Sequence, residues 1–191
     1  MVSGLCRAQY SNHQLYQAYL EQDMNVWEQY IASSNWDSLN TEEKKQLLNY
    51  EYGYAAYVTS YEPTKAEEII GRYEYHLRSS VEILPKAEYL AHMAALSTYK
   101  LSVEKKLKYA TALYDFIRQA INEGKNHPFV NEMMGNIEYY SPFGLKKKAL
   151  QYYQLADSLY TVKGEEYYLW NQQAVRNYLR GNQNSKFKIQ N

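Results

Sequence analysis

Four histidines, His13, His76, His92 and His127, come first among residues able to do chemistry, since imidazole can be acid, base or metal ligand. They are scattered and make no His-Glu-x-x-His pair. Glu88 and His92 stand at i and i+4, which on a helix puts a carboxylate and an imidazole on one face and could supply two metal ligands. A helix-surface hydrogen bond explains the same spacing more simply. His127 precedes Pro128 and reads as a helix entry. Carboxylates recur as neighbours, Glu42-Glu43, Glu67-Glu68 and Glu165-Glu166, each where a helix should begin. Adjacent residues diverge by about 100° on a helix, so such pairs do not converge on one substrate bond; they suit the positive end of the helix dipole. No Gly-x-Ser-x-Gly elbow, phosphate-cradling glycine loop or cysteine–histidine dyad is present. The sequence thus assigns no catalytic residue, no metal and no cofactor.

Two patterns remain. Lys105, Lys106 and Lys108, then Lys146, Lys147 and Lys148, fall at helix starts, where they oppose the dipole. Solubility is the plain reading and a phosphate-binding stripe the sharper one, but 21 Lys and Arg balance 21 Asp and Glu, so no global field calls for nucleic acid. The second pattern is tyrosine, 23 of 191 residues, which gives rings with a wet tip and so suits either a core or a binding face.

The length fits one domain. The lone Cys6 excludes an internal disulfide, and no apolar run is long enough for a membrane span. Residues 1–8 resemble the end of a secretory signal cleaved after Ala8, with Cys6 at the other small-residue position. Export, to the periplasm of a Gram-negative bacterium, is the expectation, with a cytoplasmic location as the alternative.

The elements that must position these residues are helices. In the stretch ALQYYQLADSLY, Ala149, Tyr153, Ala156 and Tyr160 fall within about 60° on a helical wheel, small and aromatic in turn. Small residues let a neighbouring backbone approach while the ring fills the adjacent gap. Thr41 ahead of two glutamates, a Thr64–Glu67 box, Pro85 and Pro128 mark starts; Gly124, Gly164 and Gly181 mark stops. Helices are expected near 12–33 (broken near Asp23), 41–60, 64–80, 85–101, 103–123, 128–140, 145–162 and 165–180, giving eight or nine in all. The domain spans residues 10–180, and 181–191 form a polar tail.

Helix pairs starting near 41, 85 and 128 repeat at about 43–44 residues. Met134-Gly135 followed by Ala149, Tyr153 and Ala156 resembles the signature of the tetratricopeptide-repeat family. Tyr52-Gly53 followed by Ala66, Ile70 and Tyr73 is a looser copy, and the pair with Ala91, Ala94, Ala95, Ala112 and Phe116 is looser still. The pairs exceed the family's usual 34-residue unit, and no proline closes each second helix. The resemblance implies an all-α chain of antiparallel hairpins stacked as a short right-handed solenoid, with first helices lining a concave face. Aligned on Gly53 and Gly135, it directs Leu47, Tyr50, Tyr54 and Tyr57, then Phe129, Glu132, Asn136 and Tyr139, toward that groove. Asn136 stands where some members hold a peptide's C-terminal carboxylate, but Glu132 stands where those members carry lysine. The function that the resemblance implies is non-enzymatic: binding of a protein or peptide on an aromatic concave face. A carbohydrate binder using tyrosine faces is the alternative, and a small helical enzyme the third reading.

Overall fold

The computed structural model describes residues 10–181, which hold nine α-helices, two 3-10 turns and no strand. Residues 1–8 and, Gly181 aside, the expected tail lie outside the described residues. The capping box of Ser11 and Gln14 starts α1 (Asn12–Glu21). The expected break comes next: Gln22 takes a left-handed φ of 62°, and Asp23 caps α2 (Met24–Ser33). A 3-10 turn at Trp36–Ser38 leads to α3 (Thr41–Tyr61), α4 (Pro63–Arg78), α5 (Lys86–Glu104) and α6 (Leu107–Gly124). The chain continues through α7 (Pro128–Tyr140), α8 (Lys146–Lys163), a 3-10 turn at Glu166–Tyr168 and α9 (Leu169–Leu179).

Two caps differ from the sequence reading. Asn40, not Thr41, caps α3: its side chain accepts from the Glu43 N–H at 3.0 Å, and the Glu43 carboxylate accepts from the Asn40 N–H at 2.8 Å. The helix α4 begins at Pro63, whose missing N–H needs no partner in the first turn, so Thr64 lies inside the helix.

Successive helices pair, α3 with α4, α5 with α6 and α7 with α8, while α5 also packs against α3 and α7. The α5 and α7 axes run the same way, because Glu88 lies 3.5 Å from His127 and, further along both helices, His92 stacks on Phe129 at 4.2 Å. Small residues sit where helices come closest. A methyl group on Gly135 would lie 2.4 Å from the Tyr153 ring, and Ala149, Tyr153, Ala156 and Tyr160 form one buried stripe on α8. On α4, Ala66, Ile70 and Tyr73 are likewise buried.

The C-terminal segment then departs from sequence order. The Glu166–Tyr168 turn packs on α3, and α9 reaches α1. Trp170 enters an aromatic cluster 5.2 Å from Trp27, 5.9 Å from Tyr19 and 5.7 Å from Tyr52. A methyl on Gly53 would lie 2.7 Å from Trp27 and 2.8 Å from Trp170, so the absence of a side chain there admits both indoles. Leu47, Tyr50, Tyr54 and Phe129 are therefore not on an open face: each is at most 1% exposed. The expectation that they line a groove is corrected, because neighbouring elements cover these side chains: Trp27 of α2 and Trp170 of α9 pack on Tyr50, and His92 of α5 and Tyr52 of α3 pack on Phe129.

The two glycines Gly71 and Gly135 separate propensity from packing. Gly71 lies exposed inside α4, where an added methyl meets nothing within 4 Å. Gly71→Ala is expected to stabilise by about 0.5–1 kcal/mol, and Gly135→Ala to destabilise by about 1–3 kcal/mol through overpacking against Tyr153. Urea unfolding midpoints check both signs.

Candidate ligand-binding site

The buried hydroxyls of this tyrosine-rich core need acceptors, and buried glutamates supply several of them. Glu132 is the centre of one network: Tyr52 donates to it at 3.0 Å and Tyr160 donates to its other oxygen. Burial pushes its carboxyl up to about 6, an effect that these hydroxyl donors and Asn171 partly offset. The Asn136 amide donates to the Tyr52 hydroxyl at 3.3 Å, and its carbonyl accepts from Tyr153 at 2.8 Å. Both ends of Asn136 are thus engaged inside the protein, so it is not set as a carboxylate clamp, and Glu132 at 4% exposure faces no groove.

A second centre joins Glu88, His92 and His127. Tyr168 donates to Glu88 Oε1, His92 Nε2 stands 3.9 Å from that oxygen, and His127 Nε2 is 3.5 Å from the other. The Glu88–His92 pair is therefore interior, not the surface bond its spacing allowed. Burial raises the Glu88 carboxyl to about 7 and lowers both imidazoles to about 3, so the histidines are neutral at physiological pH. Neutral His92 Nδ1 accordingly accepts from the Tyr73 hydroxyl at 2.7 Å. A third centre, buried Glu51, receives Arg72 at 3.1 Å and His76 at 2.8 Å. Among the described residues, no group of three His, Cys, Asp or Glu side chains is arranged to hold a metal ion.

The first network continues through Tyr153 toward the surface. Tyr153 stacks on Tyr178 of α9 at 4.8 Å and 5°, and the Tyr178 hydroxyl shares a short hydrogen bond with that of Tyr140. Tyr139 completes the group, 4.9 Å from Tyr140 and 5.2 Å from Tyr178, with the Lys146 ammonium 5.3 Å above its ring. Tyr139, Tyr140 and Tyr178 are each half-buried. Burial and the neighbouring tyrosines hold the Tyr178 phenol well above its usual range, so it stays protonated. Elsewhere, a cavity of about 240 Å³ between α8 and α9, lined in part by Tyr160, Glu165 and Arg176, is smaller than the roughly 300–1,000 Å³ usual for small-molecule sites.

Of the residues expected to bind a partner, Asn136 and Tyr139 come together at this aromatic end. Tyr57, half-buried on α3, belongs instead to a run of rings, 5.9 Å from Tyr54 and 5.3 Å from Tyr61. Sequence reasoning did not find Tyr140, Tyr178 or Lys146 as site residues. Tyr178 sits in the last helix, outside the repeat pattern, and only tertiary packing brings it to Tyr139.

No family model matches the chain, and no curated protein matches it. Among solved structures, it is similar to the HusA haemophore from Porphyromonas gingivalis, with a TM-score of 0.56 and 16% identity, over 88% of this chain and 94% of that one. At this identity the likeness concerns the fold: both are all-α chains of one overall arrangement.

Glu88 makes stability depend on pH. Its folded carboxyl holds a proton up to about pH 7, against an ordinary value of 4.5. Folding therefore takes up a proton between these values, and the stability this contributes is full below 4.5 and lost as pH rises through 7. Glu88→Gln keeps an acceptor for Tyr168 without the titration. From pH 5 to pH 8 the wild type should lose about 2–3 kcal/mol relative to this variant, read as the difference in urea unfolding free energies.

Proposed function

We propose that the chain is an exported, non-enzymatic binding protein built from tetratricopeptide-like stacked hairpins, and that its ligand is a planar aromatic molecule of the porphyrin class. The observation that carries this reading is the half-buried tyrosine group of Tyr139, Tyr140 and Tyr178 beside Lys146. The ring faces supply large contact area at little rotamer entropy. The ammonium supplies a partner for carboxylates at the edge of such a ligand. The similarity of fold to a haemophore supports the ligand class. Because Tyr178 stays a neutral phenol, contact is by stacking and hydrogen bonding rather than through a phenolate. Export rests on the small residues Cys6 and Ala8 ahead of Gln9. The side-by-side packing of α5 with α3 and α7 supports the stacked arrangement.

A second reading keeps the protein or peptide partner but moves it to the outer end of α3. There Tyr57 stacks on Tyr54 and meets Tyr61 at a tilt of 36°, and Tyr61 is 40% exposed.

Titration with haemin and with metal-free protoporphyrin, followed by absorbance and tyrosine fluorescence, separates the two readings. Saturable binding is expected for both ligands. Tyr139→Ala and Tyr178→Ala should each weaken it about 5–10-fold, roughly 1–1.4 kcal/mol, while Tyr61→Ala leaves it unchanged. Thermal unfolding of each variant is followed alongside. Absence of saturable binding to either ligand, or full affinity in folded Tyr139→Ala, would overturn the proposal.

A further inference from the structure

The lysine runs acquire a setting once the helices are placed. Since α5 and α7 pack together and run the same way, the α5–α6 and α7–α8 turns emerge at the same end of the molecule. Each turn presents apolar side chains to solvent. Leu107 is 83% exposed in the first; Phe143 is 94% and Leu145 63% exposed in the second. Around them stand six lysines, Lys105, Lys106, Lys108, Lys146, Lys147 and Lys148, against two glutamates, Glu104 and Glu138. Both glutamates are engaged locally: Glu104 accepts from Lys106 and Tyr109, and Glu138 from Lys148 and the Leu145 N–H. In a chain of balanced charge, these two turns thus carry an excess of lysine.

Neither turn is slack. A methyl on Gly144 would lie 2.1 Å from the Glu138 carbonyl oxygen, so the second turn is pressed onto the end of α7, with Phe143 left outside. Lys105 holds a left-handed φ of 53°, a conformation in which glycine is least strained, yet a charged side chain occupies it. The open apolar residue Val162 offers a contrast: it lies at the opposite end of α8, among charges of both signs, Lys163, Glu165 and Glu166.

We propose that this end docks on an anionic lipid surface, with Phe143 and Leu107 entering the interfacial region and the surrounding lysines meeting headgroup phosphates. Charge complementarity selects this occupant. Lysine is depleted from the cores of protein–protein interfaces, whereas an aromatic or leucine tip set among lysines suits the headgroup boundary of a bilayer. The proposal does not rest on the porphyrin reading, and its test uses protein without ligand.

The experiment is co-sedimentation of the full chain with vesicles of phosphatidylcholine mixed with phosphatidylglycerol, against vesicles of phosphatidylcholine alone. Binding to the mixed vesicles is expected, weakening as salt is raised. Phe143→Ser with Leu107→Ser should lower partitioning at least tenfold. Lys105→Glu with Lys146→Glu should remove the preference for anionic vesicles. All these side chains are exposed, so no melting temperature should fall below the wild-type value. No sedimentation with mixed vesicles, or undiminished binding by the Phe143→Ser, Leu107→Ser variant, overturns the proposal. So does a self-association of the chain, seen by sedimentation velocity, that these substitutions abolish while vesicle binding is absent.

Discussion

A tyrosine ring can be buried only where its hydroxyl finds an acceptor, and the interior of this protein is organised by that requirement. Tyr52 and Tyr160 meet on Glu132, Tyr168 meets Glu88, and Tyr73 meets His92. An orphaned buried hydroxyl is destabilising by about 1–3 kcal/mol, so each acceptor secures more than its own place. Charge would be expensive at the same sites, and the carboxyls answer by holding protons to higher pH than usual, about 6 for Glu132 and about 7 for Glu88. These glutamates and histidines resemble catalytic groups in composition. Their hydrogen bonds to tyrosine hydroxyls tie α3, α5, α7 and the C-terminal segment to one another, while Glu88 Oε2 and His127 Nδ1 are buried without a hydrogen-bond partner.

The same network explains why the open concave face expected from helical repeats is not there. Asn49 of α3 donates to the Tyr167 carbonyl and, at 2.8 Å, to Asn171, while Trp170 enters over Gly53. An all-α chain that buries one face of α3 against its own C-terminal segment leaves no open groove on that face. The aromatic system meets solvent elsewhere. One such place joins Tyr139 and Tyr140 at the end of α7 to Tyr178 of α9.

Most helix positions were legible because they depend on local signals: apolar periodicity, prolines at starts and the left-handed glycine Gly164 after α8. Gly53 and Gly135 were also legible as positions of close approach. What periodicity cannot specify is which partner covers a face. Tyr50 and Tyr54 share a face of α3, and that face is buried instead of open because Trp27 arrives from α2 and Trp170 from α9. The contact between Asn49 and Asn171 spans 122 residues of sequence, and no local pattern announces it. The Glu88–His92 pair was found by spacing, but His127, which completes the group, joins it only through the packing of α7 on α5.

Charge was misleading for a related reason: a net charge of zero is a sum, and electrostatics acts on distributions. The lysines at the starts of α6 and α8 oppose the local helix dipoles, and neither helix has a side-chain N-cap that would offset them. Each run sits beside an apolar side chain exposed to solvent, Leu107 in the first turn and Phe143 in the second. Local helix stability would favour acids at these positions and glycine in place of Lys105. That the chain departs from both preferences at the same end, and leaves Phe143 outside the core there, places the demand on these turns outside folding. The interior is committed to holding its own hydroxyls, so a surface role at this end can change without disturbing the network that keeps the helices together.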